Sequence, residues 1–162
     1  MNKSPQTSAE NQPALLIPAG EDRLGENRGL GISSIAFKVI PRDSRDLFIL
    51  ENTFRAKGGP ARHLHYHQDE WFYAAEGVFV VEIGEERFQL RPGDSLLAPR
   101  MVPHVWAYVG DKRGRMLIVF NPAGKMEAFF REVTKTDAMP PQDPKLWKDF
   151  GMELLGPPLS IE

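Results

Sequence analysis

Short hydrophobic and alternating runs, separated by glycine and proline, occupy the middle of the chain. Eight runs follow one another between about residues 31 and 122, from ISSIAFKVI at the start to MLIVF at the end. The segments between them, such as KGGP, RPGD and GDKRG, are rich in residues that form turns. Short strands at roughly 8–12-residue spacing are typical of an all-β sandwich or barrel. The pattern therefore predicts an all-β domain, whose bounds we set at residues 21–122.

The period of the hydrophobic pattern changes after FNPAG. The large apolar residues that follow recur at helical spacing: Met126, Phe129, Phe130 and Val133. This spacing predicts one amphipathic helix over about 124–136, which packs on the core or covers the barrel.

The two ends of the chain differ from the middle. Residues 1–20 are polar and contain three prolines, which predicts an N-terminal arm that is flexible or strand-swapped. The C-terminal segment is proline-rich but also carries large apolar side chains, namely Leu146, Trp147, Phe150 and Leu154. A disordered segment would not carry so many of them. We therefore expect 123–162 to form a helix and an arm that packs on the barrel or on a neighbouring subunit.

Composition removes several classes of function. The formal net charge of −2 over 162 residues gives no electrostatic reason to expect nucleic acid or a membrane surface as partner. The absence of cysteine excludes disulfides, thiolate nucleophiles and iron–sulfur ligation. No apolar run approaches the ~20 residues that span a bilayer. We expect a cytoplasmic protein with a small-molecule ligand or substrate.

The histidines are concentrated in one place. Of the four in the chain, His63, His65 and His67 lie within five positions, and His104 lies far downstream. In a strand, residues two apart share a face, so His63 and His65 project together, and a turn would bring Glu70 beside them. Imidazole nitrogen and carboxylate oxygen suit a divalent Fe, Mn, Co, Ni, Cu or Zn ion. A solvated histidine-rich turn is the alternative at this point.

The segment HLHYHQDEWFYAAEG resembles the first motif of the cupin superfamily, which reads HxH, three or four residues, E, six residues, G. His63, His65, Glu70 and Gly77 fit this motif. The resemblance implies a double-stranded β-helix, also called a jelly-roll barrel. It assigns no ligand position to His67, and its spacing favours Glu70 over the adjacent Asp69.

The segment GDSLLAPRMVPHVWAY resembles the second cupin motif, in which Gly93, Pro99 and His104 fit. It departs from the motif twice, because Met101 stands where the motif has a glycine and Tyr108 where it has an asparagine.

Together the two motifs imply that one divalent metal ion per chain is bound by a shared ligand set. That set consists of His63, His65, Glu70 and His104.

The flanks of the motifs look like those of small quercetinase-like cupins. This likeness implies a dioxygenase, an oxidoreductase acting on a small aromatic or enolisable molecule, in which Glu70 is both ligand and catalytic base. A metal-dependent isomerase or lyase and a non-catalytic binding or sensing module are the alternatives. From the alternating runs we expect Phe72, Trp106 and Tyr108 to line the substrate pocket. By analogy with small cupins we expect a homodimer.

Overall fold

The computed structural model describes residues 13–161, which form eleven strands and three short helices. The strands are β1 (Arg28–Leu30), β2 (Ser33–Val39), β3 (Phe48–Phe54), β4 (Ala61–His65), β5 (Asp69–Glu76), β6 (Phe79–Ile83), β7 (Glu86–Leu90), β8 (Ser95–Ala98), β9 (His104–Tyr108), β10 (Gly114–Asn121) and β11 (Met152–Pro158). The helices are α1 (Pro41–Ser44), α2 (Met126–Val133) and α3 (Pro144–Asp149).

The strands form two antiparallel sheets around one hydrophobic core. One sheet has six strands in the order β1-β2-β3-β10-β5-β8, and the other has five in the order β11-β4-β9-β6-β7. Strands that are neighbours in a sheet are often distant in sequence, as in a jelly roll. The predicted all-β jelly-roll fold is confirmed.

Alternation along β10 shows why these segments become strands. Its side chains are buried at every second position, with Met116, Ile118 and Phe120 facing the core. The strand lies between β3 and β5, in the middle of the six-stranded sheet. Its even positions thus supply one wall of the core, while its odd positions face outward.

The described residues form three helices, whereas the sequence pattern predicted one. Helix α2 lies within the predicted range and buries Met126, Phe129 and Val133. Helices α1 and α3 were not predicted because they have only four and six residues, too few to show a helical period. Each begins with a proline, and the side chain of Asp143 accepts a hydrogen bond from the Lys145 amide at the start of α3.

The proline-rich C-terminal segment is part of the barrel. Its strand β11 is an edge strand that pairs with β4, placing Met152 opposite His65 and Leu154 opposite His63. The register shifts near Gly156, so the ladder is irregular where the segment is richest in glycine and proline. An edge strand tolerates proline because one side of its ladder faces solvent. Docking was expected here, but a strand was not.

The N-terminal arm is described only in part. Residues 1–12 lie outside the described residues, so strand exchange by this arm stays a prediction, as does the homodimer. Closer to the barrel, Lys38 Nζ donates to the Pro18 carbonyl at 2.7 Å. The Gly20 amide donates to Glu51 Oε1 at 2.9 Å. These contacts attach the end of the arm to the six-stranded sheet.

Phe79 tests the packing of the core. Its side chain is fully buried, and its ring centroid lies 5.6 Å from that of Phe54 and 5.4 Å from that of Tyr108. We predict that Phe79→Ala lowers the free energy of unfolding by about 3–5 kcal/mol, because the change leaves a cavity. Leu97→Ala, at a position 53% exposed on β8, should change it by less than about 0.5 kcal/mol in the same urea titration. Equal effects of the two variants would contradict this description of the core.

Candidate metal centre

Residues from three strands meet on the inner faces of the two sheets. His63 and His65 lie on β4, and His104 lies directly opposite His63 on β9. Glu70 is the second residue of β5 and comes from the other sheet. The structure brings together the four residues that the motifs single out, and all four are buried.

The carboxylate of Glu70 is the centre of this cluster. Its Oε2 lies 2.9 Å from His65 Nε2 and 2.8 Å from His104 Nε2. One potential ligand atom from each of the four residues lies within 4.8 Å of the others. Two ligand atoms about 2.0–2.2 Å from one ion and at right angles are about 2.9 Å apart. The spacing of these atoms therefore fits a shared ion.

Backbone carbonyls fix the orientation of two imidazoles. His63 Nδ1 lies 2.7 Å from the Ala61 carbonyl oxygen, and His104 Nδ1 lies 3.2 Å from that of Val102. A carbonyl only accepts, so each Nδ1 carries the proton and each Nε2 of a neutral ring carries the lone pair. With His104 neutral, its Nε2 lone pair and the Glu70 carboxylate can share a cation, whereas a protonated His104 would donate a hydrogen bond to that carboxylate. The donor set thus fits a divalent metal ion.

The electrostatics of the cluster favour the protonation states that bind metal. Burial lowers the pKa of His63 well below its ordinary value, and the nearby His104 and His65 lower it further. For Glu70, burial raises the pKa, but hydrogen bonds and charge from His104 and His65 outweigh burial. The pKa of Glu70 ends well below its ordinary value. A neutral imidazole and an ionised carboxylate are the forms that coordinate a metal.

The two nearby residues that could have been ligands instead, Asp69 and His67, do not face the cluster. Asp69 precedes Glu70 on β5 and therefore faces the opposite side of the sheet, where its Oδ2 is 3.0 Å from Arg100 Nη2. Hydrogen bonds from Arg100 hold the pKa of Asp69 below its usual value. His67 is exposed in the turn between β4 and β5, outside the cluster.

The two departures from the second motif have visible structural consequences. Met101 adopts a φ of 67°, the left-handed conformation for which glycine is suited, and its amide donates to the His65 carbonyl at 2.7 Å. The Tyr108 ring lies where a side chain at Gly110 or Gly114 would be, so these glycines leave room for it.

A cavity of about 50 Å³ adjoins the cluster. His63, His65 and Glu70 form part of its wall, and most of the remaining lining is apolar. The other lining residues are Leu30, Ile32, Ser33, Asn52, Phe54, Gly59, Pro60, Trp106, Ile118, Phe120, Met126, Phe129, Phe130, Met139, Pro140, Trp147 and Met152.

Of the three predicted pocket residues, only Trp106 lines this cavity. Tyr108 shares the inward face of β9 but lies four residues beyond His104, about 13 Å along the strand. Phe72 lies against the Trp106 ring at 5.9 Å and the His104 ring at 6.2 Å, and it is not among the lining residues. The alternation of a strand predicts which of its side chains face inward. It does not predict how far a cavity extends along the strand.

The C-terminal part of the chain covers the cavity. The sequence led us to expect that this part packs on the barrel, but it gave no sign of a cavity beneath it. The Trp147 ring lies 5.0 Å from the His63 ring, and its Nε1 donates to the Pro141 carbonyl at 2.8 Å. Side chains of α2 and of the segment before α3, including Phe129 and Met139, complete the cover. The only sequence signal was the presence of large apolar residues in a proline-rich segment.

A family model described as "Cupin domain" matches residues 52–120, the range that contains the whole cluster. The matched range contains both segments that resemble cupin motifs, and the jelly-roll fold is consistent with that resemblance.

Two curated proteins that are similar to this chain come from Streptomyces. "Polyketide synthase CurC" of Streptomyces cyaneus is 32% identical over 62 residues, which are 38% of this chain and 40% of the relative. "Protein SchB" of Streptomyces halstedii is 31% identical over 62 residues, which are 38% of this chain and 45% of the relative. The match therefore spans less than half the length of either relative.

Solved structures share the fold of this chain. An RmlC-like cupin from Shewanella frigidimarina has 24% identity and a TM-score of 0.53, over 63% of this chain and 87% of the other. A variant of Streptomyces PAC13 with uridine has 10% identity and a TM-score of 0.56, over 91% and 95%. Within residues 13–161, none of the helices has the length and hydropathy needed to cross a membrane.

Removal of single ligands tests the cluster. We predict that His65→Ala and His104→Ala each lose most of the bound divalent metal, because each removes one of four donors. His67→Ala is the matched control, since it removes an exposed histidine from the neighbouring turn, and it should keep the metal content of the native protein. Elemental analysis of protein purified without tags or chelators measures all three. Full metal content in both ligand variants would contradict this assignment.

The left-handed residue gives a separate prediction about stability. Met101→Gly should raise the free energy of unfolding by about 1 kcal/mol, because an L residue in this conformation is strained. Met101→Ala keeps the Cβ and should give no such gain. Denaturant unfolding measures both, and a loss of stability in the glycine variant would contradict the interpretation.

Proposed function

We propose that this protein is a metal-dependent oxidoreductase of the dioxygenase type that acts on a small aromatic or enolisable molecule. The observation that carries the proposal is the position of the cluster, which forms a polar wall of an otherwise mostly apolar cavity. Ligand sites of this kind combine an apolar lining with a few polar groups that fix orientation.

The charge of the cluster favours an anionic ligand atom. Three neutral imidazoles and one carboxylate leave a divalent ion with a net charge of about +1. When bound, such an ion supplies a Lewis acid and, if it is redox-active, a centre for O₂ chemistry. A phenol or enol that loses its proton presents the oxyanion that suits this charge.

Glu70 is the residue of this chain that is suited to moving that proton. Its Oε2 faces two imidazole Nε2 atoms, and the carboxylate is buried in the wall of the cavity. A carboxylate within hydrogen-bond reach of a substrate hydroxyl acts as a general base. In this proposal Glu70 both binds the metal and accepts the proton.

The cover over the cavity limits the size of the ligand. A cavity of about 50 Å³ holds a few water molecules. A phenol-sized ligand requires the cover to move, and Met126, Met139 and Met152 provide flexible side chains there. Small phenols and enols therefore fit better than a flavonol.

The comparisons are consistent with this ligand class. One curated relative is called a polyketide synthase, and polyketide chains carry enolisable ketones. Similarity over 62 residues supports the class of ligand and not a particular compound.

A reaction that does not use O₂ is the second candidate. The contacts of Glu70 with His65 and His104 are suited to proton transfer, which an isomerase or lyase would use without O₂. A binding or sensing module is the third reading, and turnover of any ligand would exclude it.

Oxygen consumption separates these functions. We predict that the metal-loaded protein consumes O₂ together with a phenol or a β-dicarbonyl compound, measured with an oxygen electrode and by chromatography. Substrate loss under argon at the aerobic rate would contradict the dioxygenase and favour the isomerase or lyase. Binding without turnover in either atmosphere would favour the binding module.

The neighbouring carboxylate of Asp69 provides a control for the role of Glu70. Glu70→Gln should lower turnover at least a hundredfold, because it removes both a metal ligand and the base. Asp69→Asn changes the neighbouring outward carboxylate and should keep turnover within about twofold. Equal loss in both variants would show that Glu70 has no special role.

A further inference from the structure

One polar side chain in the cavity is unexplained by the metal cluster. Asn52 lines the cavity, is only 4% exposed, and its Oδ1 is buried with no hydrogen-bond partner among the described residues. Buried amides are normally hydrogen-bonded, and each exception requires an explanation.

The strands around Asn52 offer it no polar partner. Its inward neighbours on β3 are Leu50 and Phe54, and it lies opposite Ile35 on β2 and Met116 on β10. All four neighbours are buried and apolar. Apart from these neighbours, the Asn52 side chain borders the cavity.

A second small polar group lies close by. Ser33 is buried on β2, two residues from Ile35, and it also lines the cavity. Asn52 and Ser33 are on the six-stranded sheet, whereas His63 and His65 are on the five-stranded sheet. The cavity therefore has polar groups on both sheets, with apolar side chains around them.

The charges of the lining define the ligand further. Among the described residues that line the cavity, none is lysine or arginine. A carboxylate or phosphate at Asn52 would be buried without a compensating charge. An amide both donates and accepts, so it suits a neutral carbonyl or hydroxyl.

We propose that Asn52, assisted by Ser33, is a specificity-determining residue that binds a second, neutral oxygen of the ligand while the first faces the His63–His65–Glu70 wall. This inference rests on the proposed function, because it takes the cavity as the substrate site. It narrows the substrate class to small phenols or enols that carry a further carbonyl or hydroxyl.

Paired probes that differ by one oxygen test the proposal. The probes are 3- and 4-hydroxyacetophenone, each compared with the ethylphenol of the same substitution, titrated calorimetrically into zinc-loaded protein. The native protein should bind at least one ketone about ten- to a hundredfold more tightly than its ethyl partner, because only the ketone satisfies Asn52. Asn52→Leu should abolish that preference and keep the affinity for the ethylphenol.

Stability and metal content distinguish this role from a structural one. Asn52→Leu replaces an unpaired buried amide by an apolar group, so its melting temperature should equal or exceed that of the native protein, with unchanged metal content. Thr53→Val, which alters the adjacent outward position on β3, is the control and should keep the preference. Asn52→Ala also removes the amide but adds no side-chain volume to the cavity, so it should abolish the preference for the ketone as Asn52→Leu does.

The outcomes separate the two proposals. Equal affinity of the native protein for each ketone and its ethyl partner would overturn the role of Asn52 and leave the cavity as a phenol site. Retention of the preference in both Asn52 variants would overturn it as well. Failure of the native protein to bind any of the four phenols would overturn the proposed ligand class, and the Asn52 proposal with it.

Discussion

The contact between Glu70 and two histidines joins the two sheets of the barrel. Glu70 comes from β5 in the six-stranded sheet, and its Oε2 lies 2.9 Å from His65 and 2.8 Å from His104 in the five-stranded sheet. A buried carboxylate and buried imidazoles are costly without partners. A divalent ion between them would compensate these charges, so the same arrangement that makes the core polar also suits it to a metal ion.

The rest of the structure positions and covers this contact. The carbonyls of Ala61 and Val102 fix the tautomers of His63 and His104, while the Met101 amide holds the His65 carbonyl. The C-terminal strand β11 pairs with the histidine strand β4, and Trp147 lies against the His63 ring. The polar cluster is thereby enclosed in the apolar interior of the barrel, where electrostatic interactions are stronger than in water.

Alternation and turn residues predicted most of the strands, because both signals are local in sequence. The set of four clustered residues came from the resemblance to the two cupin motifs, since His104 is distant from the others in sequence. The cover depends on contacts between distant segments, so β11 was missed in a segment whose prolines and glycine argue against a strand. Asn52 was missed because Glu51 and Asn52 are adjacent polar residues, which obscures the alternation of β3. Glu51 faces outward and is buried by its contacts with Gly20 and Arg115, while Asn52 faces the cavity.

The central claim is that Glu70 and the three histidines bind one metal ion between the two sheets. Anomalous diffraction above and below the absorption edge of the metal, from crystals of the metal-loaded protein, tests it most directly. We expect one strong anomalous peak per chain, about 2.0–2.2 Å from an imidazole nitrogen of each histidine and from a carboxylate oxygen of the glutamate in the set His63, His65, Glu70 and His104. A peak bound elsewhere, or none between these four residues in crystals of protein shown to contain metal, would contradict it.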